Sequence, residues 1–344
     1  MNEIRTIEPF IRLGERLAEE LLDGTIEPVI RRSEAENPWF SRANVVSAIQ
    51  AVCADMLDGR NLRSWLARYP AAGRPSDETV GIVMAGNIPL VGFFDLLCVL
   101  ICDRRCLIKP SSKDRVLIGH IVDLLREIEP RFSIGALEGK VPDRLIASGS
   151  DEARRHFASV YPDTPSLLRG HRYSVAVLSG QESDRQLDGL YDDVFSYFGL
   201  GCRNVSRIFV PRGYDLRRLC RRLSARPITH TGYLNNYRQA RAMRLLSGTE
   251  FIDGGFFLMR PGADKEGPLS EIACTSYESV GSVERLLCER DREIQCVVSA
   301  TLDHPRRVDF GQAQHPSLTD YPDGIDVMEF LLAGSPAPAD RRQL

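Results

Sequence analysis

The chain reads as an α/β protein built on a parallel sheet with helical crossovers. Short apolar, β-branched runs bounded by turn residues alternate with stretches whose apolar residues recur at helical spacing, from about residue 79 to residue 178. The same pattern restarts beyond about residue 190, and 344 residues are enough for two domains or for one large body with a second lobe.

The elements follow in order. From Pro9 to Asp23 the residues Phe10, Leu13, Leu17, Leu21 and Leu22 fall at helical spacing, and Asn44 to Leu57 repeats the pattern, so the N-terminal region is expected to be helical. Ala71-Ala-Gly-Arg-Pro-Ser76 is a turn-rich break, after which Thr79 to Met84 reads as a short buried strand. Pro89 has no N–H to lose in a first turn, which predicts a helix over Leu90 to Cys102 that the charged Asp103-Arg-Arg105 ends. Cys106 to Pro110 is the next strand. A helix over Val116 to Ile128, a strand near Asp143 to Ala147, a helix over Asp151 to Phe157 and a strand over Tyr173 to Leu178 complete the alternation.

Composition narrows the function classes. A hydrophobic content of 43% and a charged content of 26% suit an ordinary globular core, and a net charge of −3 gives no general pull toward nucleic acid or anionic membrane. The nine cysteines are odd in number and unevenly spaced, and the start Met1-Asn-Glu-Ile-Arg-Thr lacks the basic and apolar regions of a secretory leader. Reduced thiols in a soluble cytoplasmic protein are therefore expected. The most apolar window, Ile88 to Cys102, is too short to span a bilayer and contains Asp95. Neither a Gly-x-Gly-x-x-Gly nor a Gly-x-x-x-x-Gly-Lys-Ser/Thr phosphate cradle is present, and the six histidines show no metal-ligand spacing. Cys98, Cys102 and Cys106 recur every four residues without a histidine partner, which favours core packing over metal. Arg217, Arg218, Arg221 and Arg222 read as a solvated helix face. His171 and His230 are lone histidines and carry no catalytic role on this reading.

The stretch richest in chemistry is Phe198-Gly-Leu-Gly-Cys202-Arg-Asn-Val-Ser206, which runs straight into Arg207-Ile-Phe-Val-Pro211. A cysteine in a glycine-flanked turn before a strand has small neighbours that admit a substrate and backbone N–H groups able to face an oxyanion. The same residue also fits a small buried hydrophobe. Asn87 is either a turn residue or a side-chain amide donor. Lys109 is either an exposed lysine at a strand end or a cation for a phosphate, and Ser150 is either an N-cap or part of an anion site at a helix start.

Taken in order, Ala85-Gly-Asn87-Ile-Pro89, Leu107-Ile-Lys109-Pro-Ser-Ser112, Ala147-Ser-Gly-Ser150 and Gly201-Cys202-x3-Ser206-Arg207 resemble the aldehyde dehydrogenase superfamily. Gly86-Asn-Ile-Pro-Leu-Val-Gly-Phe93 and Tyr197-Phe-Gly-Leu-Gly-Cys-Arg-Asn-Val-Ser206 look most like its long-chain acyl-CoA reductases of the bacterial luminescence type. The similarity runs from about residue 76 to about residue 332, and Phe310-Gly-Gln and Glu271-Ile extend it less specifically.

The resemblance implies an aldehyde-dehydrogenase-like α/β fold with a Rossmann-type nucleotide-binding domain and a smaller α/β catalytic domain. It implies N-terminal helices and the nucleotide-binding domain over 1–190, the catalytic domain over 191–300, and a returning segment with a flexible tail over 301–344. Cys202 would attack an acyl thioester and Asn87 would share the oxyanion. Lys109, Ser111, Ser112, Ser148, Gly149, Ser150 and Glu271 would hold the cofactor, with no metal. Ala273-Cys274 after Glu271 departs from the usual Phe-Gly.

Two further departures are informative. Leu167-Leu-Arg-Gly-His-Arg172 lacks the carboxylate with which hydrolytic members activate water, which favours reduction of a thioester over oxidation of an aldehyde. Ser112 and Lys113 replace the acidic residue of NAD-selective members, which favours NADPH. The implied partners are an acyl-CoA or acyl-carrier thioester, an acyl-activating ligase and further copies of the chain. A CoA-acylating dehydrogenase for a short or polar aldehyde, and a cysteine-dependent acyltransferase without hydride transfer, remain as alternatives.

Overall fold

The computed structural model describes residues 3–333; the sequence-predicted tail from Ser335 to Leu344 lies outside them. Four helices open the chain: α1 (Glu3–Asp23), α2 (Glu27–Glu36), α3 (Arg42–Ala51), which continues into a π-turn over Val52–Met56, and α4 (Gly59–Leu66). Then come β1 (Thr79–Val83), α5 (Phe93–Ile101), β2 (Arg105–Lys109), α6 (Arg115–Ile128), β3 (Ile134–Ala136), β4 (Arg144–Ser148), α7 (Asp151–Val160) and β5 (Ser166–Arg169). The second half holds β6 (Tyr173–Val177), α8 (Asp184–Phe195), β7 (Val205–Pro211), α9 (Leu216–Leu223), α10 (Thr231–Ser247), β8 (Ile252–Asp253), β9 (Leu258–Pro261) and β10 (Glu271–Tyr277). The described chain closes with α11 (Val280–Glu289), β11 (Ile294–Val298), β12 (Arg307–Val308) and α12 (Val327–Leu332).

The described residues form two compact units. The first takes those up to 33, 46–170 and those from 325 onward; the second takes 34–45 and 171–324. The break after Gly170 falls earlier than the sequence boundary at 190, because β6 hydrogen-bonds to β7 and β11 and so joins the second sheet. Residues from 325 return to the first unit through α12: Arg144 of β4 donates to the carbonyls of Phe330 (2.9 Å) and Ala333 (2.7 Å) and pairs with Glu78 at 2.8 Å.

The first unit's sheet is fully parallel in the order β3-β2-β1-β4-β5, the Rossmann-type arrangement, with a topological switch between β1 and β4. Its core comes from strand residues such as Val80, Ile82 and Ile146 and from α5, all nine residues of which are buried. That burial accounts for the apolar window read from the sequence and for Cys98, Cys102 and Cys106, which are core residues. No described helix is long and apolar enough to cross a membrane.

Several local expectations shift. α1 starts at Glu3 instead of Pro9, and Leu22 points to solvent, off the face made by Phe10, Leu13 and Leu17. α5 starts at Phe93 rather than after Pro89, because Leu90 adopts a left-handed φ of 59° that breaks the helix before it can begin.

The second unit's sheet has the order β12-β11-β6-β7-β10-β9-β8, parallel except where β8 meets β9. β6 and β11 are buried throughout, as expected of parallel strands covered on both faces. Phe195, Phe256 and Phe257 pack together with ring centroids 5.0–5.2 Å apart. Arg217, Arg218 and Arg221 on α9 are exposed, and Arg222 is bound by Asp188 at 2.8 Å.

Candidate functional site

In the first unit the predicted residues gather at the carboxyl ends of β1, β2 and β4. Parallel pairing aligns Val83 with Lys109 and with Ala147, so the segments after all three strands leave the sheet side by side. Met84 N–H donates to the Lys109 carbonyl (3.0 Å) and carries the strand into the loop with Asn87, which is half-buried. Gly86 lies against Ser111, where an added Cβ would sit 2.5 Å from that side chain's Cβ and Oγ. The loop is pinned by a residue the sequence reading missed. Asp114 accepts the Leu90 N–H at 2.8 Å while 2% exposed, and its Oδ1 has no partner. Burial pushes the Asp114 carboxyl up to about 8, opposed by the Leu90 bond.

Lys109 is exposed, with its ammonium 5.6 Å from the Phe157 ring centroid, and Ser112 and Lys113 are exposed beside it. These residues fit a phosphate on an adenosine ribose: two cations and a hydroxyl, all accessible. Ser150 caps α7 by accepting the Ala153 N–H (3.2 Å), and Asp151 and Glu152 already place two carboxylates in the first turn of that helix. Ser148 Oγ accepts from Arg169 at 3.1 Å, and the Gly149 N–H donates to the Arg169 carbonyl. Arg169 is itself buried against Asp95, at 2.7 and 2.9 Å. The stretch lacking a carboxylate thus carries a buried cation, Arg169, and Asp95, which answers it, is buried as well.

In the second unit Cys202 sits at the tip of a tight turn. The approach is irregular: Tyr197, Phe198 and Gly199 have φ of 51°, 59° and 74°, three left-handed residues in succession. The turn closes when the Asn204 N–H donates to the Gly201 carbonyl (3.0 Å) and the Gly201 N–H to Asn204 Oδ1 (2.8 Å). Ser174, fully buried on β6, donates to the Cys202 carbonyl at 2.8 Å and accepts the Cys296 N–H at 3.1 Å. Among the described residues none other than Cys202 itself takes its N–H, which favours the thiolate of the same residue. Cys202 is solvent-accessible, yet surrounding protein desolvates the thiol and pushes it up to about 11. Arg203 opposes that rise, while Cys296 and Asp323 add to it.

The remaining predicted residues divide clearly. Phe310-Gly-Gln is held by Asp193, which accepts the N–H of Gly311 (2.7 Å) and of Ala313 (2.9 Å); burial raises the Asp193 carboxyl to about 6 against those bonds. Glu271 is buried at the start of β10, with Arg244 on both oxygens (3.1 and 2.7 Å) and Arg260 at 2.9 Å. Its carboxylate is thus engaged by two guanidiniums, a set unlike that of a group held open for a ribose. His230 caps α10 by accepting the Tyr233 N–H at Nδ1 and donates from Nε2 to the Pro38 carbonyl, stacked on Phe198 at 4.5 Å. His171 is exposed. Among the described residues no group of His, Cys, Asp and Glu could hold a metal.

No family model and no curated protein matches the chain. Solved structures do. Aldehyde dehydrogenase 21 from Physcomitrella patens, in complex with succinate, aligns with a TM-score of 0.67 at 11% identity over 96% of this chain and 84% of its own. An oxidoreductase from Marinobacter aquaeolei gives 0.65 at 13% identity over 92% and 79%. An aldehyde dehydrogenase C variant from Pseudomonas syringae, complexed with NAD+ and octanal, gives 0.63 at 13% over 88% and 73%. Together with one parallel and one largely parallel sheet, these alignments establish that the chain has the aldehyde-dehydrogenase-like α/β fold.

Proposed function

We propose that the protein is an NADPH-dependent acyl-CoA reductase that converts a long-chain fatty acyl thioester to an aldehyde through an acyl-enzyme on Cys202. The observation that carries this reading is the accessible Cys202, on this fold, at the tip of a turn that leaves the Cys202 N–H without another residue to take it among the described residues.

In this mechanism the Cys202 sulfur forms a bond to the thioester carbonyl carbon as the C=O electron pair moves onto oxygen. The Cys202 N–H donates to that oxygen, a role that the family resemblance would have the Asn87 side-chain amide share. Collapse breaks the bond to the coenzyme A sulfur and leaves the acyl group on Cys202. A thiol held near 11 is protonated at neutral pH, so attack requires loss of its proton as substrate binds, and acylation is expected to quicken with rising pH. Asp95 is buried with Arg169, so its carboxylate is tied up in an ion pair rather than placed to activate water, in keeping with an acyl-enzyme that persists until reduced.

Lys109, Ser111, Ser112 and Lys113 are the residues that would hold the adenosine phosphate, and Ser148 to Ser150 lie on the same sheet edge. When bound, NADPH supplies the hydride that turns the acyl group into an aldehyde and frees Cys202. The same reading places the enzyme in the cytoplasm as a homo-oligomer fed by an acyl-activating ligase.

The test is NADPH consumption with a long-chain acyl-CoA, comparing the native protein with Cys202→Ala. Consumption that needs both acyl-CoA and Cys202 is expected. A native protein that neither consumes NADPH nor gains the acyl mass on Cys202 rules the reading out.

A further inference from the structure

The acyl-transfer reading leaves open what holds Cys202 in a conformation that keeps its N–H available. We infer that Asn204, assisted by Ser174, is a positioning residue that fixes the Gly201–Asn204 turn so that the Cys202 N–H serves as an oxyanion donor. The inference rests on that reading and deepens it.

Asn204 is buried at 4% exposure and uses both ends of its amide. Its Oδ1 takes the Gly201 N–H at 2.8 Å, and its Nδ2 faces the carbonyls of Ser196 (2.9 Å), Asp193 (3.2 Å) and Val194 (3.3 Å) at the end of α8. Those carbonyls lie in the last turn of α8 and at its C-cap, so one side chain ties the nucleophile's turn to a helix C-terminus. The consequence is selective. Gly201 gives its N–H to Asn204 Oδ1 and its carbonyl to the Asn204 N–H, and the Cys202 carbonyl is held by Ser174. Among the described residues this arrangement leaves over the N–H groups of Cys202 and Arg203, and that of Cys202 is the one on the nucleophile itself. An aspartate or serine at position 204 could not supply an acceptor for Gly201 together with an N–H2 for three carbonyls; asparagine has both in a short side chain.

An oxyanion donor accelerates attack on a carbonyl, where charge develops on oxygen, but not displacement at a saturated carbon, where it does not. That difference gives a readout that a merely structural residue would not move. Cys202 of the full chain is acylated with palmitoyl-CoA and, separately, alkylated with iodoacetamide, with both rates followed by intact mass. Asn204→Ala and Ser174→Ala are compared with the native protein, and thermal melting identifies which variants are folded. The ratio of acylation to alkylation is expected to fall about tenfold or more in Asn204→Ala, with alkylation nearly unchanged. Ser174→Ala leaves the Asn204 bonds in place and is expected to show a smaller fall; it is the variant to read if Asn204→Ala does not fold. A ratio equal to the native one in the folded variants overturns the role of Asn204 and leaves the reductase reading standing. Native protein that is alkylated but never acylated at Cys202 overturns both.

Discussion

The sheet edge of the first unit and the Cys202 turn of the second position their side chains by opposite means. At the edge, regular pairing does the work: Val83, Lys109 and Ala147 are aligned by ladder bonds, and the candidate residues are those that follow the strand ends. At the turn, three successive left-handed residues and a buried amide hold one cysteine in place. A register tolerates change in any single side chain, whereas a network of buried polar groups depends on each member.

The edge has one exception to this rule, Asp114, and the largest effect is expected there. Its carboxyl titrates near 8 in the folded protein and near 3.8 once unfolded, so between those values the folded state holds a proton that the unfolded state has released. Stability therefore falls as pH rises from 4 to 8, by about 1.4 kcal/mol per pH unit at most and a few kcal/mol in all. Asp114→Asn keeps an acceptor for Leu90 and removes the titration, so its melting temperature is expected to lose that part of the pH slope. A slope identical to the native one would place Asp114 among ordinary surface-like carboxylates. In the second unit, Gly189→Ala would set a Cβ 2.8 Å from the backbone of Phe310 and Gly311, beside the loop that Asp193 holds. Neither side can yield cheaply, and a loss of about 2 kcal/mol is expected in chemical denaturation. The smallest effect separates the two regions by function. Lys109→Ala is expected to weaken NADPH binding about tenfold, read by quenching of protein fluorescence, while acylation of Cys202 proceeds at the native rate.

Legibility in the sequence followed the same division. Strands β1, β2, β4 and β6 were readable because a short β-branched run between turn residues has few other uses, and Asn87, Lys109 and Ser150 came with them as the residues at their ends. The short strands β3 and β5 and the helices α2 and α4, of ten and eight residues, were too short to be seen. The start of α5 was misplaced because the rule for proline at a helix start is local, whereas the conformation of Leu90 is set by Asp114 across the loop. Cys202 was legible from its glycines, but Asn204, Ser174 and the Arg244–Glu271–Arg260 cluster were not. Their partners lie on other elements, and a lone Asn, Ser or Glu in a sequence says nothing of what answers it. His230, read without a catalytic role, caps α10 and stacks on Phe198.

The path of the chain through its two units has a consequence for synthesis. The first unit's sheet is encoded by residue 169, yet the carbonyls that satisfy Arg144 lie at Phe330 and Ala333. On the ribosome, the strands of the second sheet are made while that guanidinium still lacks these partners. The unit begun first is thus the later to have all its residues made, and the end of α12 brings the last partners of Arg144.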